Sequence, residues 1–291
     1  MKIARRILPL LLAGWLLLLA LSGCATLPRE LSATPAGQEV GHSLLDDWLT
    51  RRGQYSTVQG VAKVRVQTAE RTVTGTQVIL AEAPDRLRAE TLSPFGTPLL
   101  LLAADGTELG VLLPGDNLFY QGRATPENIG RFTRLPFRLA DLVGILLAHP
   151  PLIAYRQMHS WLLPDGGWRL ELEAEPRRQE LVFDAARRLV EVKYLSRGEL
   201  QLQLGYNRFD TEQMEFPLGI ELLLPLQSTR ASLEFSELAA GRESPAGIFT
   251  LQPPPGATTV MLDELPDSGE SGSGIGPSAE KSVATPGEGD K

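Results

Sequence analysis

Apolar and polar positions along this chain change period several times, and each change marks an element. Lys2, Arg5 and Arg6 precede an apolar run from Ile7 to Leu21 broken only by Pro9 and Gly14. That is the charged start and apolar middle of a secretory signal, and the run is too short to span a bilayer comfortably. Further on, Val40, Leu44, Leu45, Trp48 and Leu49 recur at helical spacing, which predicts an amphipathic helix from Gln38 to about Arg52, stopped by Gly53. Trp48 reads as a core anchor of that helix. From Gln54 the period becomes two: Val58, Gly60, Ala62, Val64 and Val66 alternate with Gln59, Val61, Lys63, Arg65 and Gln67. Short strand-like runs follow at Val73 to Ala83, Arg86 to Leu92, Pro98 to Ala103 and Glu108 to Leu113. Turn residues separate them at Ala83-Pro84-Asp85, Ser93-Pro94-Phe95-Gly96, Asp105-Gly106 and Pro114-Gly115-Asp116, so the stretch reads as an antiparallel meander.

After Tyr120 the helical period returns. Thr125 can cap a helix with Pro126 at its first position, and Leu139, Leu142, Val143, Leu146 and Leu147 mark a second amphipathic helix ending near His149-Pro150-Pro151. Strands resume at Trp168 to Ala174, Glu180 to Phe183, Leu189 to Tyr194, Leu200 to Tyr206, Ile220 to Leu224 and Ala231 to Phe235, with hairpin turns at Asp165-Gly166-Gly167 and Arg197-Gly198. About ten or eleven strands are too many for a flat sheet, which would curl or close. The expected fold is mainly β of the α+β class: an unclosed antiparallel half-barrel with a helical lid and an N-terminal amphipathic helix.

The apolar run of the signal ends at Leu21-Ser22-Gly23-Cys24, and Cys24 is the sole cysteine of the chain, so no internal disulfide can form. This tetrapeptide resembles the bacterial lipobox. The resemblance implies cleavage before Cys24, a diacylglyceryl group on its sulfur and an acyl group on the freed amine, with no other cofactor. Several acyl chains hold a membrane stably where one holds it marginally. Ala25 in the second mature position, rather than Asp, resembles lipoproteins sorted to the outer membrane, with the domain facing the periplasm.

Loss of Lys2, Arg5 and Arg6 with the signal moves the formal charge from −7 to −10. That excludes nucleic acid as an expected partner and leaves any further membrane contact apolar and local. From Asp267 to Lys291 the chain has no aromatic residue and is largely Gly, Ser, Pro and charge, too poor in apolar surface to repay ordering entropy. The expected organisation is a signal peptide over 1–23, a tether over 24–37, a barrel domain over 38–264 and a disordered acidic tail over 265–291.

Candidate chemistry is sparse. His42, His149 and His159 have no second ligand at metal spacing and lie in no nucleophile motif. Asp46-Asp47 and Glu171-x-Glu173 are carboxylate pairs on what should be solvated faces, and Gly272 to Gly276 has no strand-to-helix setting for a phosphate loop. No constellation fits an enzyme, which leaves binding as the expected class.

The order of helix, strands, helical insert and strands behind a lipobox resembles the LolB family of outer-membrane lipoprotein receptors, within the LolA/LolB lipoprotein-localisation fold. The local matches are Asp85-Arg86-Leu87-Arg88 leading into Leu92-Ser93-Pro94-Phe95-Gly96-Thr97; Ile129-Gly130 through Leu135-Pro136-Phe137-Arg138-Leu139 and on to Pro150; and Gly205-Tyr206 with Phe216-Pro217. The resemblance implies an apolar cavity that accepts the acyl chains of other lipoproteins from a soluble periplasmic carrier and helps insert them into outer-membrane lipid. Residues expected to line it are Val64, Val66, Ile79, Leu87, Leu101, Leu142, Leu146, Leu170, Val192 and Leu202; ordinary core packing is the alternative for each. The position matching Phe95 is, in such proteins, an apolar residue that enters the bilayer. Phe95 could instead fold back over the barrel rim as a plug. A structural or assembly lipoprotein with a filled barrel that binds a protein partner is the other expectation for the chain as a whole.

Overall fold

The computed structural model describes residues 33–210 and 215–266. The expected signal, Cys24 and nearly all of the expected tail lie outside these residues. Strand β1 (Thr34–Ala36) and helix α1 (Gln38–Arg52) lead into strands β2 (Thr57–Gln67), β3 (Thr72–Glu82), β4 (Arg86–Leu92), β5 (Pro98–Ala104), β6 (Glu108–Leu113) and β7 (Leu118–Arg123). Helices α2 (Pro126–Thr133) and α3 (Leu139–Leu146) follow. The chain then returns to strand with β8 (Gln157–Leu162), β9 (Trp168–Ala174), β10 (Arg177–Phe183), β11 (Leu189–Ser196), β12 (Glu199–Asp210), β13 (Phe216–Leu224), β14 (Thr229–Ala240) and β15 (Thr258–Met261).

These strands form one 15-stranded sheet that runs from β1 through β8 to β14, then through β2 to β7, and ends at β15. Neighbours are antiparallel except β15, which lies parallel to β7. Because β1 and β15 remain as separate edges, the sheet curls without closing, as strand twist over so many strands requires. The fold is therefore the expected mainly β half-barrel with helical elements. The strands not anticipated are β1, β7, β8 and β15. β1 falls in the stretch expected as tether, where Thr34 pairs with Leu162 and Ala36 with Ser160.

The concave face is apolar because one phase of every central strand is apolar. Directly opposed residues make an unbroken row from β9 to β3: Leu170, Leu181, Val192, Leu204, Leu222, Ala231, Val66 and Val73. A side chain at Gly60 is excluded where β14 bulges, since a Cβ there would meet the Glu237 carbonyl and, at 2.8 Å, the Phe235 ring. Helix α1 buries Gly41, Leu44, Leu45 and Trp48 against the β8–β9 side, so Trp48 is the core anchor the spacing predicts, while Leu49 is exposed.

The convex face over β3 to β7 is covered by the segment that follows β14. Thr57 Oγ1 donates to the Arg242 carbonyl at 2.7 Å, Arg88 Nη1 to the Ile248 carbonyl at 3.0 Å and Asn117 Nδ2 to the Gly256 carbonyl at 2.8 Å. Phe249 is buried in this strap, as are the convex-face residues Leu80, Ala103 and Phe119.

Candidate functional site

The site that the topology builds is the concave face with α2, α3 and the loop after them. Helix α2 starts where the sequence indicates, with Thr125 Oγ1 accepting from the Asn128 amide at 3.2 Å. It ends at Arg134 in a left-handed conformation (φ 64°), which turns the chain into α3. In α3 Leu139, Leu142, Val143, Ile145 and Leu146 are all buried, and they share one continuous apolar cluster with the concave row. The helix occupies the space a curled sheet would otherwise leave open.

Polar side chains on the concave face hold this lid down. Gln179, fully buried on β10, donates through Nε2 to the Pro151 carbonyl at 3.0 Å and accepts from the Ile153 amide at 2.9 Å. Tyr194 of β11 donates to the same Pro151 carbonyl at 2.6 Å. Tyr206 of β12 donates to the Ile145 carbonyl at 3.3 Å, which also accepts from the Ala148 amide at 3.1 Å at the end of α3. Burial raises the phenol pKa of both tyrosines above its ordinary value; at Tyr194 the charge of Asp141 adds to it and Arg52 opposes it. Both therefore remain hydrogen-bond donors across the physiological range.

His149 closes the lid segment. Burial, helped by the nearby Arg52 charge, lowers its pKa to about 4, so it is neutral at pH 7. A helix C-terminus by itself favours an imidazolium, but desolvation outweighs the dipole at this buried position. Next to it lies a recess of about 250 Å³ lined by Trp48, Arg51, Arg52, Arg187, Arg188 and Phe209 among others. Its cations are largely paired, Arg51 with Glu215 at 3.5 Å, Arg188 with Asp184 at 2.7 Å and Arg187 with Asp47. A wider recess of about 630 Å³ lies at the Glu173–Arg178 and Arg197–Gly198 turns.

The ten residues expected to line a cavity fall into distinct settings. Val66, Ile79, Leu87, Leu142, Leu146, Leu170 and Val192 are buried in the concave cluster, and Val64 and Leu202 are half-buried against it. Leu101 is on the other face. It alternates with Leu100 and Leu102 of the concave cluster and lies opposite Glu90 and Leu112 on the convex side. None of the ten lines either recess. Gln179, Tyr194 and Tyr206 were not anticipated, although a lone glutamine in phase with Leu181 and Phe183 is a readable signal for a buried polar role.

Phe95 is 95% exposed at the tip of the β4–β5 loop, so the rim-plug alternative is not the arrangement found. The loop is tight. Ser93 Oγ accepts from the Phe95 amide at 3.3 Å and the Thr97 amide at 3.1 Å, and Gly96 takes φ 80°. Among the carboxylate pairs, Glu171 is drawn above the usual carboxylate range by burial and then by its hydrogen bond with Glu173, so it is less solvated than its strand phase suggests. Among the described residues no cluster of His, Cys, Asp and Glu could hold a metal ion, and no helix is long and apolar enough to cross a membrane.

No family profile and no curated protein matches the chain. It is similar in structure to a domain from Vibrio parahaemolyticus described as an outer-membrane lipoprotein-sorting protein, with 13% identity over 73% of this chain and 97% of that one and a TM-score of 0.46. A LolA superfamily protein of Nitrosomonas europaea is similar at 16% identity over 72% and 97%, TM-score 0.47. So is a DUF1329 family protein of Desulfovibrio piger, at 12% identity over 73% and 96%, TM-score 0.49.

Proposed function

We propose that this chain is a lipoprotein anchored through Cys24 in the outer membrane, facing the periplasm, whose half-barrel receives the acyl chains of other lipoproteins from a soluble carrier and passes them to the membrane. The observation that carries this reading is the apolar row from Leu170 to Val66, buried in one cluster with the short helix α3, which packs on β3 and β4. Exposing Leu139, Leu142, Val143, Ile145 and Leu146 would cost about 7–15 kcal/mol at about 1.5–3 kcal/mol each. One acyl chain of about 15 methylenes gains roughly 12 kcal/mol on burial at 0.8 kcal/mol each. The two terms are of the same size, so a chain that lies along the row can replace the lid helix while a short one cannot. Phe95, held out by its Ser93-pinned loop, is the residue that enters the bilayer during delivery.

Displacement of a fluorescent fatty acid from the Cys24→Ala protein by a triacylated lipopeptide tests the reading. Competitive release by the lipopeptide and none by its unacylated form is expected. Absence of any probe binding would remove the lipid-handling role. The filled-barrel reading draws on one observation: Gln179, Tyr194 and Tyr206 all bond the lid backbone, which suits a permanent core as well as a gate.

A further inference from the structure

The strand directions place the β4–β5 loop (residues 93–97), the β2–β3 turn (68–71) and the β13–β14 turn (225–228) at one end of the sheet, since β14 pairs with β2 and β3 with β4. Bulky apolar side chains stand exposed at this end. Phe95 is 95% exposed, Leu226 61%, Val73 49% and Leu99 38%. Neither the Ser93-Pro94-Phe95-Gly96-Thr97 loop nor the Pro225-Leu226-Gln227-Ser228 turn carries a charge, and Glu70 and Arg71 of the third turn offset each other. The same end also holds Asp116 in the β6–β7 turn, Glu175 in the β9–β10 turn and Arg197 in the β11–β12 turn, while the described turns at the opposite end carry Asp85, Asp105, Asp165 and Asp184, the last paired with Arg188 at 2.7 Å. Just behind the apolar tips, on the convex face, Arg65 lies opposite Ser232 and Arg230 opposite Gln67; both are exposed, and among the described residues neither forms an ion pair.

From this distribution we infer that the sheet end bearing Phe95 is a bilayer-docking face with a second finger, Leu226, and a phosphate-headgroup contact at Arg65 and Arg230. The inference rests on the reading of Phe95 given above and extends it from a single inserting residue to a surface that sets orientation. Apolar tips with basic residues one layer back match the acyl boundary and headgroup layers of a lipid surface in order. The two tips are separated by roughly 19 Å along the sheet, four interstrand spacings, so two contacts fix the tilt where one would leave a pivot. A chain whose mature charge is −10 is repelled by anionic lipid overall, and the uncharged loop at Phe95 and turn at Leu226, backed by Arg65 and Arg230, are where that repulsion is weakest. The anchor permits this pose. Thr34 lies at the far end of β8, about 20 Å from the docking end, and the stretch from Cys24 to Thr34 can reach about 35 Å.

The Cys24→Ala protein has no other cysteine, so Phe95→Cys, Leu226→Cys and, at the far end, Asp105→Cys can each carry one environment-sensitive fluorophore. With vesicles of phosphatidylethanolamine and phosphatidylglycerol, the labels at 95 and 226 are expected to shift to the blue and to be quenched by a lipid-resident quencher, while the label at 105 stays in water. Arg65→Gln and Arg230→Gln should each weaken vesicle binding about fivefold, an effect that disappears with purely zwitterionic vesicles. Unchanged thermal melts exclude misfolding as the cause. If 95 enters lipid and 226 does not, the docking face is overturned and the role of Phe95 stands. If neither enters, both fall. Equal response at 105 would show undirected adsorption and likewise overturn the docking face.

Discussion

Replacing Gln179 with leucine tests whether the lid is a gate or a fixed part of the core. The substitution keeps most of the volume of a fully buried side chain but removes two bonds to the lid loop, the 3.0 Å donation to the Pro151 carbonyl and the 2.9 Å acceptance from the Ile153 amide. Pro151 retains the Tyr194 hydroxyl, so its carbonyl stays satisfied. The Ile153 amide loses its partner, at a cost of about 1–3 kcal/mol to the closed lid. If acyl chains bind only when α3 has left the concave face, their apparent dissociation constant falls by the same factor that the open fraction rises, about tenfold for each 1.4 kcal/mol. The assay is fatty-acid titration of wild type and variant, with a thermal melt of each. Expected is a melting point lower by several degrees together with acyl binding at least about fivefold tighter. A lower melting point with unchanged affinity would refute the gate and favour a filled barrel.

Stability should fall as pH drops from about 6.5 towards 4, because His149 has a folded pKa of about 4 and takes up its proton in the unfolded chain first; His149→Gln should flatten that stretch of a melt-against-pH curve. Phe95→Glu should leave stability within about 0.5 kcal/mol of wild type, given its exposure, yet abolish transfer of a bound lipoprotein into liposomes. Phe249→Ala should cost about 3 kcal/mol or more in chemical denaturation by unsealing the convex strap, whereas removal of residues 267–291, which carry almost no apolar surface, should leave the midpoint in place. Cys24→Ala should lose all label from a metabolic fatty-acid probe, and equal label on both proteins would end the lipid-anchor reading.

Most of the half-barrel was legible because its central strands alternate cleanly: Val58, Gly60, Ala62, Val64 and Val66 share the concave side of β2, as their spacing predicts. The missed strands lack that signal. Gln157 to Leu162 of β8 puts Ser160 in the buried phase, where it bonds the carbonyls of Ala36 and Gly37 rather than packing as a hydrophobe. β15 has two exposed threonines and pairs in parallel across a long sequence separation. Leu101 was put on the wrong face because Leu99 to Ala104 is apolar throughout, so alternation carries no phase there. In truth both faces of that strand are covered, one by α3 and its neighbours and the other by the strap after β14, and nothing local announces the strap. Of the site, the apolar lining could be read from pattern, while the Gln179, Tyr194 and Tyr206 clamp depends on which loop folds over which strand. Phe95 was legible as an anomaly, a bulky aromatic in a turn, and its exposure sets aside the rim plug.

Hydrogen exchange of α3 with and without a saturating triacylated lipopeptide tests the central claim most directly. The amides from Val143 to Leu147 are expected to lose protection when the lipopeptide is bound, while those of β9 to β13 along the concave row hold or gain it. Binding with α3 still fully protected, or no change anywhere at saturating lipopeptide, would contradict the exchange of lid helix for acyl chain.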